Sequence, residues 1–151
     1  MDEKKVLDRL QRLCSRAEYC SFDISRKALR ALEGDNSAAE RVLAALVRER
    51  YVDDARYASA FARDKASLQG WGPVKIRYAL RGKGIAGAVA EDAVREACGV
   101  SSADDRMEKL LSAKARTLKG DLAVKPKLLR YAIGRGYTYE QAAPVIEKLL
   151  G

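Results

Sequence analysis

Histidine is absent from the 151-residue chain, and with it the side chain that most often serves general acid-base, triad and metal-ligand chemistry near neutral pH. Cysteine is scarce. Cys14, Cys20 and Cys98 are odd in number and show no Cys-x-x-Cys spacing, which supports neither a disulfide framework nor a zinc site and predicts a reducing compartment. Only two threonines occur, Thr117 and Thr138, and runs of alternating apolar and polar residues are missing, so nothing reads as a strand. Long hydrophobic runs are missing too. Met1-Asp2-Glu3-Lys4-Lys5 leads straight into an amphipathic pattern, without the apolar stretch of a signal peptide or a membrane span. The expectation is a cytoplasmic protein with no membrane partner.

No Gly-x-x-x-x-Gly-Lys-Ser/Thr phosphate loop is present. Leu80-Arg81-Gly82-Lys83-Gly84-Ile85 is no substitute, because its glycines close a helix where a phosphate loop opens one. The acid pairs Asp53-Asp54 and Asp104-Asp105 fall at helix starts, where capping and the helix dipole account for them. No catalytic residue, metal ligand or cofactor is predicted, and the protein reads as a binding protein and not as an enzyme.

What the chain does hold is positive charge and helical periodicity. Lysine and arginine total 29 against 21 acids, for a formal charge of +8, which favours an acidic partner such as nucleic acid or a nucleoprotein. Apolar residues recur at helical spacing, as in Val6, Leu10, Leu13 and in Val42, Leu43, Leu46, Val47. Ser37-x-x-Glu40 and Thr138-x-x-Gln141 read as capping boxes, with Ser102-x-x-Asp105 a weaker relative. Gly70, Gly84, Gly99, Gly120 and Gly136 each follow a periodic stretch, where a left-handed residue ends a helix, and Pro73 suits a first helical turn. Pro144 predicts a kink in the last helix. Together these signals predict about nine short helices.

The pattern repeats in three blocks, 4–51, 53–99 and 102–150. Leu80-Arg81-Gly82-Lys83-Gly84-Ile85 lies over Ala132-Ile133-Gly134-Arg135-Gly136-Tyr137, with Lys75 over Lys127 and Ile76 over Leu128. Leu29-Arg30-Ala31-Leu32-Glu33-Gly34 takes the equivalent place in block one, without the basic residue before its glycine. The predicted fold is all-α: three tandem three-helix repeats in an elongated, curved array of right-handed type.

Charge is uneven along this array. Between Lys65 and Ala90 there is no acid, while Lys65, Lys75, Arg77, Arg81 and Lys83 are basic. From Lys109 to Tyr139 a single acid, Asp121, stands against eight cations, Lys125, Lys127 and Arg130 among them. Block one is nearly balanced. Stacked repeats align equivalent faces into one surface, so the recurring cations on the middle helices of blocks two and three are candidates for partner binding. Tyr57 and Phe61, four apart on one helical face, are expected in the core, and Trp71 between two glycines is expected to plug a helix junction.

The second block carries a longer signature. Tyr51-Val52-Asp53-Asp54-Ala55-Arg56-Tyr57-Ala58-x-Ala60-Phe61-x-Arg63-Asp64-Lys65, followed by Trp71-Gly72-x-x-Lys75-Ile76-x-x-x-Leu80-x-x-Lys83-Gly84-Ile85, resembles the RecX family of bacterial RecA regulators. Cys14-Ser15-Arg16-Ala17-Glu18-Tyr19-Cys20, then Asp23-Ile24-x-Arg26-Lys27, is similar to the family's first-repeat opening in Bacteroidetes-type members. Arg135-Gly136-Tyr137 resembles the end of the third repeat's middle helix. Block one departs from the family at Leu32-Glu33-Gly34-Asp35, which replaces a more compact aromatic-glycine ending.

The resemblance implies a monomeric protein that lodges in the groove of the RecA filament on single-stranded DNA. It implies inhibition of ATPase, strand-exchange and co-protease activity, within DNA repair and the SOS response, and weak direct binding to DNA. On that footing Lys75, Arg77, Arg81 and Lys83, with Lys125, Lys127 and Arg130 and with Lys65 beside them, are expected to face RecA or DNA. The rival expectation is a direct DNA-binding protein whose three-helix units act as helix-turn-helix modules.

Overall fold

The computed structural model of the chain describes residues 2–151, with the side chains of 100–104 outside the description. Nine α-helices and no strand occur among the described residues: α1 Glu3–Cys14, α2 Ser21–Ala31, α3 Asn36–Arg48, α4 Asp54–Gln69, α5 Pro73–Gly82, α6 Gly87–Ala97, α7 Val100–Thr117, α8 Val124–Gly134 and α9 Tyr139–Leu150.

Short polar side chains start many of these helices by taking up backbone amides that lack an intrahelical partner. Asp2, Asp35 and Asp53 accept from Lys5 N, Ala38 N and Arg56 N. Thr138 and Gln141 form the expected reciprocal box at α9, and Pro73 opens α5. Two boundaries differ from expectation. The cap of α3 is Asp35, two residues before Ser37, since a carboxylate at the turn reaches the same orphan amides first. Helix α7 begins at Val100 with Gly99 as its N-cap, at φ −55°, so Gly99 opens a helix and is not the left-handed close of one. The side chains of Ser102 and Asp104, and with them the Ser102-x-x-Asp105 cap, lie outside the described residues, and Asp105 falls inside α7 and not at a helix start. Pro144 sits within α9, which continues through it to Leu150.

Each consecutive trio of helices closes over its own apolar cluster. Val6, Leu10, Ile24, Ala28, Val42 and Leu46 fill the first; Met107, Leu111, Leu128, Ala132 and Ile146 belong to the third. The second is built on alanine. Ala58, Ala62 and Ala66, four apart on α4, meet Ala90 and Ala93 of α6, small side chains that let the two helices approach closely. Ile76 and Leu80 of α5 close this cluster, both fully buried. Cys20, which precedes α2, belongs to it as well, so the first trio hands one buried side chain to the second. A fold of separate small clusters buries less than one common core would. The accessible surface is 9327 Å², against about 7,600 Å² for a compact monomer of 16.6 kDa, as an elongated array requires.

Candidate partner-binding surface

The middle helices α2, α5 and α8 bury one side and expose the other. Ile76 and Leu128 are fully buried, as are Leu80 and, nearly so, Ala132, which fixes the same face of α5 and α8 against the core. Tyr78 and Arg130 then take corresponding exposed positions, Tyr78 at 76%.

The eight cations singled out from the sequence fall into distinct settings. Lys65 of α4 and Lys75 of α5 close on the Trp71 ring, with Nζ 4.8 and 4.5 Å from the ring centroid. Trp71 meets Phe61 edge-on at 6.3 Å, and Phe61 stacks on Tyr57 at 5.8 Å, so this aromatic row is packed against the second cluster, as expected. Burial pushes the Tyr57 phenol up to about 12. Arg77 donates to Glu91 Oε2 at 2.6 Å and holds that carboxyl below its ordinary range. Lys125 pairs with Glu147, which holds the ammonium above its usual range. Lys127 pairs with Asp121; its hydrogen bond, helped by the Ala123 amide, lowers that carboxyl. Among the described residues Arg81 and Arg130 are the two of the eight in no ion pair or cation-π contact, and both are exposed.

Lys83 is different in kind. Its ammonium donates to both oxygens of Asp23, at 3.0 and 3.2 Å, and so ties the end of α5 back to α2. Arg56 reaches Glu18, and Ser21 N donates to Asp54 Oδ1 at 2.7 Å, across the same boundary. Arg135, which corresponds to Lys83, likewise reaches back to the preceding trio and donates to the Gln69 carbonyl. These two end-of-helix cations are joints between units. Sequence comparison gave them away as equivalent, but their partners lie 60 and 66 residues distant.

The joint between the second and third trios was not foreseen in its most rigid part. Gly72 N donates to Arg135 O at 2.7 Å and Val74 N to Gly136 O at 2.9 Å. Tyr137, 4% exposed, donates its hydroxyl to Gly70 O at 3.2 Å. A Cβ on Gly72 would stand 2.5 Å from the Gly136 carbonyl carbon and oxygen. Gly136, at φ +99°, faces Lys75 so closely that a Cβ there would overlap Lys75 Cβ. Backbone meets backbone at this point because both residues lack a side chain. The start of α5 and the end of α8 are thereby held together.

No group of three or more potential metal-ligating Cys, Asp or Glu side chains occurs among the described residues, and all three cysteines are free. No helix among them is long and apolar enough to cross a membrane.

Comparison with known proteins points one way. Residues 53–94 match the family model described as RecX, second three-helix domain. The regulatory protein RecX of Salmonella paratyphi A is 28% identical over 142 residues, covering 88% of this chain and 84% of the relative. That of Halalkalibacterium halodurans is 34% identical over 128 residues, covering 82% of this chain and 45% of that longer protein. Among solved structures, the crystal structure of RecX from Lactobacillus salivarius superposes with a TM-score of 0.82 at 19% identity, over 97% of this chain and 96% of that one. A second crystal structure, of a regulatory protein RecX, gives 0.83 at 22% identity, over 98% of this chain and 71% of that one. At such identities the two structures speak for the fold of three-helix repeats.

Proposed function

From the premise that this chain belongs to the RecX family of regulatory proteins, we propose that it binds the RecA nucleoprotein filament as a cytoplasmic monomer and restrains its ATPase, recombinase and co-protease activities. In this reading the units span 4–51, 53–99 and 102–150, and the second and third carry the docking face. The observation that carries it is the Gly72–Gly136 joint. It joins the start of α5 to the end of α8; in this reading the exposed cations of the two middle helices act as one preorganised surface, and preorganisation removes an ordering cost that binding would otherwise bear. Contacts to successive filament subunits then reinforce one another through effective concentration.

Within that face the roles divide by present partner. Arg81 and Arg130 are free to meet carboxylates or phosphates at once. Arg77, Lys125 and Lys127 are held in exposed pairs, each worth only about 0–1 kcal/mol, and exchange their acids for a partner's at little cost. Lys65 and Lys75 keep Trp71 in place, while Lys83 secures the joint. The protein acts by occupying a groove and opposing subunit rearrangement; it contributes no catalytic group.

The test is single-stranded-DNA-dependent ATP hydrolysis by RecA at substoichiometric amounts of this protein. Inhibition is expected, and it should weaken in Arg81→Glu/Arg130→Glu. Unchanged hydrolysis with the intact protein would overturn the proposal. Tight binding to naked DNA without RecA, steep in salt, would favour the helix-turn-helix reading instead.

A further inference from the structure

The two joints of the array are made by different chemistry. At the second, backbone groups meet at Gly72 and Gly136, and two arginines, Arg106 and Arg135, donate to carbonyls. The first is made by charge. Among the described residues two ion pairs cross from one trio to another, Asp23–Lys83 and Glu18–Arg56, and both cross here, with the acids on the first trio and the cations on the second. Asp54 adds a third contact of the same kind. It accepts from Ser21 N at 2.7 Å, the amide that opens α2, whose own N-cap Cys20 makes no side-chain hydrogen bond. A carboxylate of the second trio thus caps a helix of the first and faces the positive end of its dipole.

Little else closes that first joint. Among the described residues no two helices of different trios pack as closely as those within a trio, and residues 49–53 are all that connects α3 to α4. Cys20 is the one side chain of the first trio in the second cluster, and it is fully buried. It lies beneath the charged contacts, near enough to Asp23 and Lys83 for both to act on its thiol. The four paired side chains themselves remain open to solvent. Pairs in that setting contribute about 0–1 kcal/mol each and weaken as salt screens them.

We infer that the contact between the first and second trios is a salt-sensitive hinge, an ionic clasp over the buried Cys20. Screening or removing the Asp23–Lys83 and Glu18–Arg56 pairs frees the first trio to turn on the second, and Cys20 enters solvent as it turns. A region held by few buried apolar contacts and by solvent-reached polar ones opens locally, below the free energy of unfolding the whole chain. The second joint has no ion pair across it among the described residues, so salt has less to screen there. The array therefore has one adjustable angle, set between the near-neutral first trio and the two cationic ones.

The experiment labels the full chain with N-ethylmaleimide, a neutral thiol reagent, and follows Cys20 and Cys98 separately by peptide mass spectrometry. All cysteines are free. Burial holds both thiols above their usual range, so Cys20 reacts at the rate at which it is uncovered, while Cys98, in the second trio, reports on that unit alone. Between about 0.1 and 1 M sodium chloride the Debye length falls from about 10 Å to about 3 Å. Over that range Cys20 labelling should quicken roughly tenfold, the factor that about 1.4 kcal/mol of ionic contact represents, with Cys98 unchanged. At low salt Lys83→Glu should do the same and Lys83→Arg should not. Loss of a neighbouring cation disfavours the thiolate, so chemistry without opening would slow Lys83→Glu instead. Cys20 labelling indifferent to salt in the parent would overturn the hinge, and so would Cys20 and Cys98 quickening together, which marks unfolding of a whole unit. The salt series on the parent decides the matter even where a variant does not fold, and with no RecA present its failure leaves the proposed function to its own test.

Discussion

Replacing Gly72 by alanine perturbs the joint between the second and third trios at a single atom. Gly72 has φ −85°, which alanine adopts freely, so backbone strain contributes nothing. The added Cβ meets Gly136 C and O at 2.5 Å and Tyr137 N at 2.7 Å. These are backbone atoms, which cannot swing aside, and overpacking of this kind costs about 1–3 kcal/mol. Moving the chains apart also stretches the hydrogen bonds Gly72 N to Arg135 O and Val74 N to Gly136 O, each worth about 1 kcal/mol net. The expected loss is about 2–4 kcal/mol of coupling between the units. Gly84→Ala is the contrasting change. Gly84 has φ +73° and nothing within 4 Å of a Cβ, so it carries only the left-handed strain of about 1–2 kcal/mol. In an array of units joined by interfaces, weakening one interface separates their transitions. Urea unfolding followed by circular dichroism and by the fluorescence of Trp71, the only tryptophan, should therefore lose coincidence in Gly72→Ala and keep it in Gly84→Ala. A Gly72→Ala protein with the stability and coincident transitions of the parent would refute the joint as described.

Three further outcomes can be checked by equilibrium unfolding. Leu128→Ala, at a fully buried position of the third cluster, should cost about 2–5 kcal/mol. Asp35→Ala should cost about 1 kcal/mol by removing the α3 cap, whereas Ser37→Ala, inside the helix, should fall within about 0.5 kcal/mol of the parent; the opposite order would restore Ser37 as the cap. Stability should be flat from about pH 5 to 8, since no histidine titrates there. On the acid side Glu3, Glu91 and Asp121 are lowered in the fold by their basic partners, so their contribution, present above the ordinary carboxylate range, is lost as pH falls through the folded values. On the alkaline side burial raises Cys14, Cys20, Cys98, Tyr57 and Tyr137, so stability present below their ordinary values is lost as pH rises, with Tyr57 titrating at about 12. A urea midpoint that moves between pH 6 and 7.5 would contradict this.

Local chemistry made the helices legible in the sequence. Apolar spacing, Pro73 at a first turn, the Thr138–Gln141 box and glycines such as Gly84 and Gly136 act within a few residues, and the structure has them where that chemistry puts them. The α3 cap went astray because Asp35 and Ser37 are both good caps and only the backbone decides between them. Longer-range features left weaker traces. The equivalence of Lys83 and Arg135 was visible, but their function as joints depends on Asp23 and Gln69, which no local pattern connects to them. Cys20 reads as part of block one and packs with block two, since a connecting residue follows the space available and not the block it was counted in.

The central claim is that exposed cations on α5 and α8 engage the RecA filament. RecA's single-stranded-DNA-dependent ATP hydrolysis, titrated with the parent protein and with Arg81→Glu/Arg130→Glu, tests it most directly. The account predicts inhibition by the parent at substoichiometric amounts and a shift of the titration to roughly tenfold higher concentration in the variant, as two exposed charge contacts reversed imply. Superimposable titrations would contradict the docking face, and an absence of inhibition by the parent would contradict the function itself.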